Sequence, residues 1–483
     1  MAFLGLDLGT SGLRGVLMDA QGRPVASAER PCHVSQPFPG WSEQDPADWI
    51  GALEGVLDEM RATCAGFRDL RAIGVAGHMH GATLLDAGGA VLRPCMLWND
   101  TRARAEARLL DQTAGVRESS GNIVFAGFTA SKVQWVRHHQ PEIFARIDKV
   151  LLPAAYLNLY LTGEPVSDMS DCAGTAWLDV GARDWSDRVL ALTGLSRAQM
   201  PRLVEGAQPA GFLRPELARR WGLRDGVVIA GGAGDNAAAA CGMGVLKDGQ
   251  GFVSLGTSGV LLAARNGYQP APETAVHTFC HAVPGRWVQM GVMLSATDSL
   301  NWLARITGQG AAALTGALGE DLAGPGLVRF LPYLSGERTP HNDTEIRGSF
   351  TGLSTATSQR DLTRAVLEGV AFGLRDSLEA LKSADARLEQ VFAIGGGAAS
   401  RYWLKLIATV LDLPLALPSG AEFGAALGAA RLAHAAATGE DPALVMPPPR
   451  IDTVIHPDPA LTEAFNDAYQ GFKAAYPAIR SVQ

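Results

Sequence analysis

The sequence has little of what marks several broad classes of protein. Only 19% of its 483 residues are charged, and no run of lysine and arginine could follow a nucleic-acid backbone, so a nucleic-acid partner is not expected. No stretch of about 18 apolar residues is free of charge and of glycine or proline clusters, so a membrane span is not expected either. The N-terminus lacks a basic segment and meets an acid at Asp7, which predicts a strand rather than a signal peptide.

Two common site patterns are also missing. The six cysteines form no C-x-x-C pair and have no histidine at zinc-ligand spacing, which favours free thiols in a reducing cytoplasm. The glycine-rich segments match neither G-x-x-x-x-G-K-[ST] nor a clean G-x-G-x-x-G, which argues against a P-loop enzyme and a simple dinucleotide domain. Apolar residues make up 47% of the chain, enough for sizeable cores, and the length predicts two or three domains.

Glycine is abundant, at 56 residues, and much of it follows apolar runs directly. The segment Leu8-Gly9-Thr10-Ser11-Gly12 recurs 247 residues later as Leu255-Gly256-Thr257-Ser258-Gly259, each time after a strand-like run. The repeat predicts two related α/β domains with a cleft between them. We place their boundary in the glycine-rich stretch at 244–250, which gives an N-terminal domain of residues 1–246 and a C-terminal domain of residues 247–483.

The local pattern predicts an antiparallel meander over the first 35 residues, followed by a helix with Asp45 as its N-cap. Two later apolar runs, at 227–230 and 391–394, are each followed by a glycine cluster and then a predicted helix, from about Ala237 and about Ser400. Strand, glycine turn and helix in that order bring backbone N–H groups up to a phosphate.

The clusters suggest phosphoryl-transfer chemistry. Two Gly-Thr-Ser-Gly turns facing one another offer N–H groups and hydroxyls to a polyphosphate, and the triplet at 395–397 lets a planar group approach the backbone. Asp7, just before the first turn, can hold Mg²⁺ directly or through water. Asp235, where a glycine turn becomes a helix N-terminus, suits the group that accepts a proton from an attacking hydroxyl. The helix dipole should keep its carboxylate ionised at pH 7.

Each of these residues also has a purely structural interpretation. Asp235 could be a helix N-cap, and Asp7 could be a solvated acid at a strand end. His80 could be a packed histidine, Met79 a packing residue, and the glycine triplet an ordinary tight turn. Only the joint occurrence of the clusters, in this order, favours the functional interpretation.

A set of short segments, spread from the first strand to about residue 432, matches one known family. The segments are residues 5–12, 41–46, 79–83, 97–100, 127–135, 167–171, 234–236, 254–259, 330–340, 348–368, 395–397 and 426–430. On these segments the chain resembles the FGGY family of carbohydrate kinases. The run Met-His-Gly-Ala-Thr-Leu-Leu-Asp from Met79 is most similar to members that phosphorylate D-xylulose.

The resemblance implies an α/β fold of two RNase H-like domains flanking a catalytic cleft, the actin-like ATPase fold shared by sugar kinases, hsp70 and actin. It implies ATP and Mg²⁺, with transfer of the γ-phosphoryl group to the terminal hydroxyl of D-xylulose, giving D-xylulose 5-phosphate in D-xylose catabolism. It further implies a cytoplasmic enzyme that can form a homodimer, with no nucleic acid and no membrane as partners.

The resemblance also assigns roles to residues. Asp235 matches the catalytic base and Asp7 the metal- and phosphate-associated acid. The residues implied to line the sugar site are Met79, His80, Trp98, Asn99, Asp100, Asp235 and Asn236. Those implied to contact the nucleotide are Gly9, Thr10, Ser11, Arg14, Gly256, Thr257, Ser258, Gly395, Gly396 and Gly397. The chain departs from the family pattern at Arg14, where lysine is common, and at His78 and Ala399.

Other functions remain open on the sequence. A kinase for ribulose, gluconate, glycerol or another polyol would use the same scaffold with different polar residues around Met79, His80 and Asp235. An actin-like nucleotide-binding ATPase without a sugar substrate would need neither a base beside the phosphates nor a sugar-lining turn. Sugar-dependent consumption of ATP separates a kinase from the ATPase.

Overall fold

The computed structural model describes residues 1–420 and 423–483, and its framework is two mixed β-sheets of seven strands each. The first sheet contains β1 (Ala2–Gly9), β2 (Gly12–Asp19), β3 (Pro24–Pro31), β4 (Leu70–Gly77), β5 (Pro209–Phe212), β6 (Val228–Ala230) and β7 (Ala233–Gly234). The second contains β8 (Gly249–Leu255), β9 (Gly259–Arg265), β10 (His277–Cys280), β11 (Trp287–Met293), β12 (Leu388–Ile394), β13 (Leu415–Pro418) and β14 (Ile451–Ile455).

The main helices of the described chain are α1 (Pro46–Thr63), α2 (Thr129–His139), α3 (Pro153–Thr162), α4 (Asp235–Gly242), α5 (Thr297–Thr307), α6 (Gln359–Ser383), α7 (Arg401–Leu411), α8 (Gly424–Thr438) and α9 (Thr462–Arg480). The remaining α-helices are Arg104–Asp111, Val116–Ser120, Pro141–Phe144, Met169–Cys172, Asp187–Leu192, Pro215–Trp221, Ala311–Gly316 and Pro442–Val445. Single 3₁₀ turns span Ala65–Asp69, Ala173–Thr175, Arg197–Gln199, Pro272–Thr274 and Gly396–Ala399.

Short two-stranded sheets complete the described secondary structure. They pair Glu43–Gln44 with Cys95–Met96, Thr83–Leu85 with Lys149–Leu151, Val166–Asp168 with Arg202–Val204, Leu178–Asp179 with Asp184–Trp185, and Arg329–Leu331 with Ser349–Thr351. None of the helices in the described parts of the chain is both long and apolar enough to cross a membrane.

The two sheets repeat one topology, as the duplicated turn predicts. The strand order β3-β2-β1-β4-β6 in the first sheet corresponds to β11-β9-β8-β12-β13 in the second. In each sheet three antiparallel strands come first in this order. The strands after them run parallel to β1 in the first sheet and to β8 in the second. The first-sheet strands lie within residues 2–234 and the second-sheet strands within residues 249–455, so the glycine-rich stretch near residue 247 lies between them.

Local sequence signals are largely confirmed in the first half. The predicted meander is formed by β1, β2 and β3, and Asp45 caps α1 through a hydrogen bond from the backbone N–H of Ala47 to its Oδ1 (2.9 Å). The apolar face of α1, which includes Trp49, Leu53 and Val56, is fully buried against this sheet. Burying each such side chain stabilises the fold by about 1.5–3 kcal/mol.

A pair of small-residue helices joins the two halves. Helix α8 belongs to the second half of the chain but packs on the first sheet, and glycines at the crossing points allow its backbone to touch β1 and β4. A Cβ on Gly5 would lie 1.8 Å from the Ala426 carbonyl oxygen, and one on Gly428 would lie 1.8 Å from that of Ala238 in α4. Only glycine therefore fits these positions. The boundary predicted between residues 246 and 247 stays a prediction, because α8 follows it in the sequence but packs on the sheet that precedes it.

Candidate active site

Three parallel strands of the first sheet end at the same edge and bring the predicted acids together. β1 pairs with β4 so that Asp7 lies opposite Ala76, and β7 pairs with β4 so that Gly234 lies opposite Gly77. The residues at or just beyond these strand ends are Asp7, the turn at 78–80 and Asp235. Functional groups at the carboxyl edge of parallel strands are typical of ligand sites in α/β folds.

Asp235 is the first residue of α4, two residues earlier than the predicted helix start. The N-cap position belongs to Gly234, so the alternative that Asp235 is the helix cap is wrong. Its Oδ1 instead accepts hydrogen bonds from the backbone N–H (2.7 Å) and the Nδ2 (2.9 Å) of Asn236. Burial raises the pKa of Asp235 to about 6, against the lowering effect of the two bonds from Asn236. The carboxylate is therefore mostly ionised at pH 7 and has lone pairs left to accept a proton.

Asp7 is a second acid in the same electrostatic environment. Burial and the negative charge of Asp235 raise its pKa to about 7, while the guanidinium of Arg14, its cross-strand neighbour, acts in the opposite direction. A bound cation would relieve both the burial of the Asp7 charge and its repulsion by Asp235. Within residues 1–420 and 423–483 no cluster of three or more His, Cys, Asp or Glu side chains could hold a metal ion. Asp7 alone, with phosphate oxygens, matches the usual way in which proteins hold Mg²⁺.

A small cavity of about 110 Å³ opens beside Asp235. It is lined by Met79, His80, Trp98, Asp235, Asn236, Ser258, Val260, His277, Phe279, Met290, Val292 and Arg338. Five of the seven residues predicted for the sugar site are therefore brought together. Two polar residues that the sequence reasoning missed, His277 and Arg338, also line it. Arg338 lies in the segment 330–340 that carried the family resemblance, and this segment could have pointed to it. No sequence signal pointed to His277.

His80 is held firmly in place. Its backbone has φ 71°, a conformation that costs a non-glycine residue about 1–2 kcal/mol. Its carbonyl oxygen accepts hydrogen bonds from Thr129 Oγ1 (3.1 Å) and from the fully buried Lys132 Nζ (2.9 Å), and its ring stacks on Phe128. Burial lowers the pKa of His80 to about 3, so the ring is neutral. Because Nδ1 lies 2.7 Å from the carbonyl oxygen of Gly174, Nδ1 donates and Nε2 is left as an acceptor.

Trp98 connects the cavity to the first glycine turn, since its Nε1 donates to Thr10 Oγ1 (3.0 Å). Asn99 and Asp100 line a larger adjoining cavity of about 470 Å³ and not the small one. The Asp100 carboxylate is fully engaged: it accepts bonds from the Ser42 N–H (2.8 Å) and from Arg102. Its contacts make Asp100 part of a buried ion-pair network beneath the site.

The glycine turns take separate positions around these cavities. Gly9 and Ser11 line a third cavity of about 400 Å³ together with Asp7 and Arg14, whose guanidinium pairs with Glu29 (2.8 Å). In the second turn Ser258 lines the small cavity and Thr257 the larger one.

The triplet at 395–397 follows β12, which pairs in parallel with β8, and so it lies beside the second turn. Gly395 has φ 87°, and a Cβ there would lie 2.8 Å from the carbonyl oxygen of Leu255. Gly396 lies in open space, where a Cβ would have no neighbour within 4 Å. This turn therefore needs glycine at Gly395 and leaves backbone accessible at Gly396.

Comparison with known proteins agrees with this architecture. The model of the FGGY family of carbohydrate kinases, N-terminal domain, matches residues 2–242, and that of the C-terminal domain matches residues 251–437. The chain is 48% identical to the xylulose kinase of Klebsiella pneumoniae, over 92% of this chain and 93% of that protein. It is 46% identical to the xylulose kinase of Escherichia coli K12, over 98% of each.

Solved structures give the same fold. A crystal structure from Brucella ovis, described as a xyloylose kinase, covers the whole of both chains with a TM-score of 0.97 and 56% identity. The xylulose kinase structure from Rhodospirillum rubrum has a TM-score of 0.91 and 30% identity, over 100% of this chain and 99% of that one. The expected fold, two α/β domains of the sugar kinase type, is confirmed.

Proposed function

The chain belongs to the FGGY family of carbohydrate kinases, and from that premise we propose that it transfers the γ-phosphoryl group of ATP to the terminal hydroxyl of D-xylulose. The products are D-xylulose 5-phosphate and ADP. The observation that carries the proposal is the near-full-length similarity to xylulose kinases at 46–48% identity. The small polar cavity beside Asp235 supports it, because its size and lining suit a short polyhydroxylated chain.

Asp235 is the base in this proposal. The C5 hydroxyl oxygen attacks the γ-phosphorus, the O5–P bond forms, and the bond from that phosphorus to the β-γ bridging oxygen breaks, so that ADP leaves. The O5–H proton passes to the Asp235 carboxylate late in the step, as is usual for phosphoryl transfer. The pKa of about 6 supports this role, because the carboxylate is ionised at neutral pH yet more basic than an ordinary aspartate.

Asp7 is the residue that would hold Mg²⁺. Burial and, second to it, the negative charge of Asp235 raise the pKa of Asp7, and both effects make a cation favourable at this position. Mg²⁺, when bound, neutralises charge on the phosphate oxygens. Asp7 orients the phosphate group toward the sugar hydroxyl by holding that ion, and Arg14 adds a second positive charge on the neighbouring strand.

The remaining site residues divide between the two substrates. His80, through its Nε2 acceptor, and Asn236 bind sugar hydroxyls, while Met79 and Trp98 shape the cavity. The turns at 9–11 and 256–258 bind phosphates, and Asn99 and Asp100 contribute to the sugar side of the cleft from the larger cavity that they line. Gly395, Gly396 and Gly397 bind the adenosine part. Closure of the cleft over both substrates excludes water, the competing nucleophile.

The proposal places the enzyme in the cytoplasm. All six cysteines are free thiols, which fits a reducing compartment. The proposed assembly is a homodimer. Its test is the molar mass in solution, measured by light scattering.

The experiment is a coupled ADP-release assay on the purified protein with Mg-ATP. The sugars are D-xylulose, D-ribulose, L-ribulose, D-gluconate and glycerol, with a reaction lacking sugar as the control. We expect saturable turnover that requires a sugar and is highest with D-xylulose. Preference for another sugar would move the substrate assignment, and sugar-independent ADP release would contradict kinase activity altogether.

A further inference from the structure

Arg338 is a half-buried cation in the small cavity, and the proposed reaction has so far assigned it no role. It lines the cavity together with Asp235 and His80. Its backbone is fixed on both sides: its N–H donates to Glu337 Oε1 (2.8 Å), and the N–H of Thr339 donates to the carbonyl oxygen of Val292 on β11 (3.0 Å). Burial lowers the pKa of Arg338 to about 10, which still leaves it charged at neutral pH.

The guanidinium group is oriented by two aromatic rings. Its Nη1 donates to Nε2 of His277 (3.2 Å), and its Cζ lies 4.8 Å from the ring centre of Phe125. Burial and the nearby Arg338 charge hold the pKa of His277 well below its usual range, so His277 is neutral and accepts this bond. In the described part of the chain, Nε and Nη2 of Arg338 have no acceptor. A preorganised cation with spare N–H groups in a cavity is a binding group for an oxygen that only accepts.

The other polar groups of the cavity are committed differently. Trp98 Nε1 donates to Thr10, one of the two amide N–H groups of Asn236 donates to Asp235, and Nδ1 of His80 donates to Gly174. His80 is left with an acceptor at Nε2, which suits a hydroxyl group. Arg338 thus supplies the charged donor that this set otherwise lacks.

If the proposed function holds, the chemistry of D-xylulose determines which substrate oxygen accepts a hydrogen bond from this donor. D-Xylulose closes into a furanose ring by joining O5 to C2, so a molecule whose O5 is free to attack phosphorus is open-chain. Its C2 is then a ketone, whose oxygen accepts hydrogen bonds and cannot donate. We infer that Arg338 donates to the C2 carbonyl oxygen of the open-chain ketose and selects ketoses over the corresponding polyols.

The test compares three ligands on the wild-type enzyme and Arg338→Met. D-Xylulose has the carbonyl, 1-deoxy-D-xylulose keeps it and lacks only the C1 hydroxyl, and in xylitol it is reduced to a hydroxyl. We expect kcat/KM of Arg338→Met to fall roughly 10- to 100-fold for both ketoses, mainly through KM, because a charged hydrogen bond is lost. Xylitol, measured as a substrate or as an inhibitor constant against D-xylulose, should change less than about threefold.

Two further variants separate recognition from stability. Arg265 is a buried arginine of the second sheet that bonds Gln289 and the carbonyl oxygen of Ala384, away from the cavity, so Arg265→Met should leave the ketose-to-xylitol ratio unchanged. Arg338→Lys keeps the charge and a donor, and it should retain a ketose preference between those of wild type and Arg338→Met. If Arg338→Met does not fold, the comparison of Arg338→Lys with wild type tests the inference, and the ketose preference of Arg338→Lys should then be below that of wild type.

The outcomes distinguish this inference from the proposed function. A wild-type enzyme without D-xylulose turnover overturns the proposed function and the inference with it. If the wild type phosphorylates D-xylulose but Arg338→Met loses ketoses and xylitol equally, Arg338 only supports the fold and the inference is wrong. A loss with D-xylulose but not with 1-deoxy-D-xylulose would assign Arg338 to the C1 hydroxyl and would also overturn it.

Discussion

The two Gly-Thr-Ser-Gly turns have the same sequence but form different hairpins. In the first, Gly9 pairs with Gly12, so Thr10 and Ser11 form a two-residue loop. In the second, Leu255 pairs with Gly259, so Gly256, Thr257 and Ser258 form a three-residue loop, and the strand register differs by one residue. Identical local sequence therefore does not determine the turn on its own.

Tertiary hydrogen bonds account for the difference. In the first turn Thr10 is held from the side by Trp98 Nε1 and by Gln44 Nε2, which donates to the Thr10 carbonyl oxygen (2.7 Å). In the second turn the carbonyl oxygens of Gly256 and Thr257 accept bonds from backbone N–H groups of Thr297 and Ala296, at the start of α5. Those N–H groups would otherwise be unpaired, as at any helix start, so the longer loop satisfies them.

The flanking residues differ as well. Residues 247 positions apart are Asp7 and Ser254, and Arg14 and Leu261. The first copy therefore carries an acid and a cation where the second has a hydroxyl and an apolar side chain. The duplication gives two similar scaffolds, and we propose that both turns bind phosphates while only the first carries the acid that would hold Mg²⁺.

The largest expected effect is that of removing the base next to the first turn. Asp235→Asn keeps the shape and the hydrogen bonding of the side chain but removes the proton acceptor, so kcat should fall by at least about 1,000-fold. D-Xylulose binding, followed by quenching of tryptophan fluorescence, and the melting temperature should stay near wild type. A variant that keeps more than about a tenth of wild-type kcat would refute the assignment of Asp235 as base.

The next effect compares the equivalent positions of the repeat directly. Asp7→Ala should lower Mg²⁺-dependent turnover by about 100-fold and raise the Mg²⁺ concentration required, while Ser254→Ala should change turnover less than about threefold. Both are measured by ADP release over a Mg²⁺ titration. Equal effects of the two substitutions would remove the proposed division of labour between the turns. A loss of sugar binding as large as the loss of turnover would count against the metal role of Asp7.

Some residues of the candidate site can be predicted from the sequence, and others cannot. Asp7, Met79, His80 and Asp235 were predictable because each lies near the end of a strand whose apolar run is evident and because their segments resemble a known family. Arg338 was missed although its segment carried the resemblance, because it reaches the cavity from a loop whose path depends on backbone hydrogen bonds to β11. The packing of α8 on the first sheet was equally hidden, since an apolar helix does not encode which sheet it will cover.

The pH profile sharpens the assignment of the acids. Asp235 accepts a proton only when ionised, so kcat/KM for D-xylulose should fall about tenfold per pH unit below its pKa of about 6. If the aspartate were not buried, this decrease in kcat/KM would begin about two pH units lower. The profile between pH 5 and 8 at saturating Mg-ATP checks this, with coupling-enzyme activity controlled at each pH. Constant activity down to pH 5 is the contradictory result.

The smallest effect concerns the turn beside the second copy. Gly395→Ala places a Cβ in a conformation with φ 87° and against the Leu255 carbonyl oxygen, so the KM for ATP should rise about tenfold and the melting temperature should fall. Gly396→Ala, in open space, is the matched control and should change KM less than about twofold. Similar KM values for the two variants would exclude Gly395 as a support of the nucleotide site.

The most direct test of the account is the structure of the product formed from D-xylulose and Mg-ATP. NMR of the purified product should show phosphorus coupled to C5 and one sugar phosphate formed per ADP released. Phosphate on another carbon, or ADP and inorganic phosphate released without any sugar phosphate, would contradict the assignment of Asp235 as base for the terminal hydroxyl.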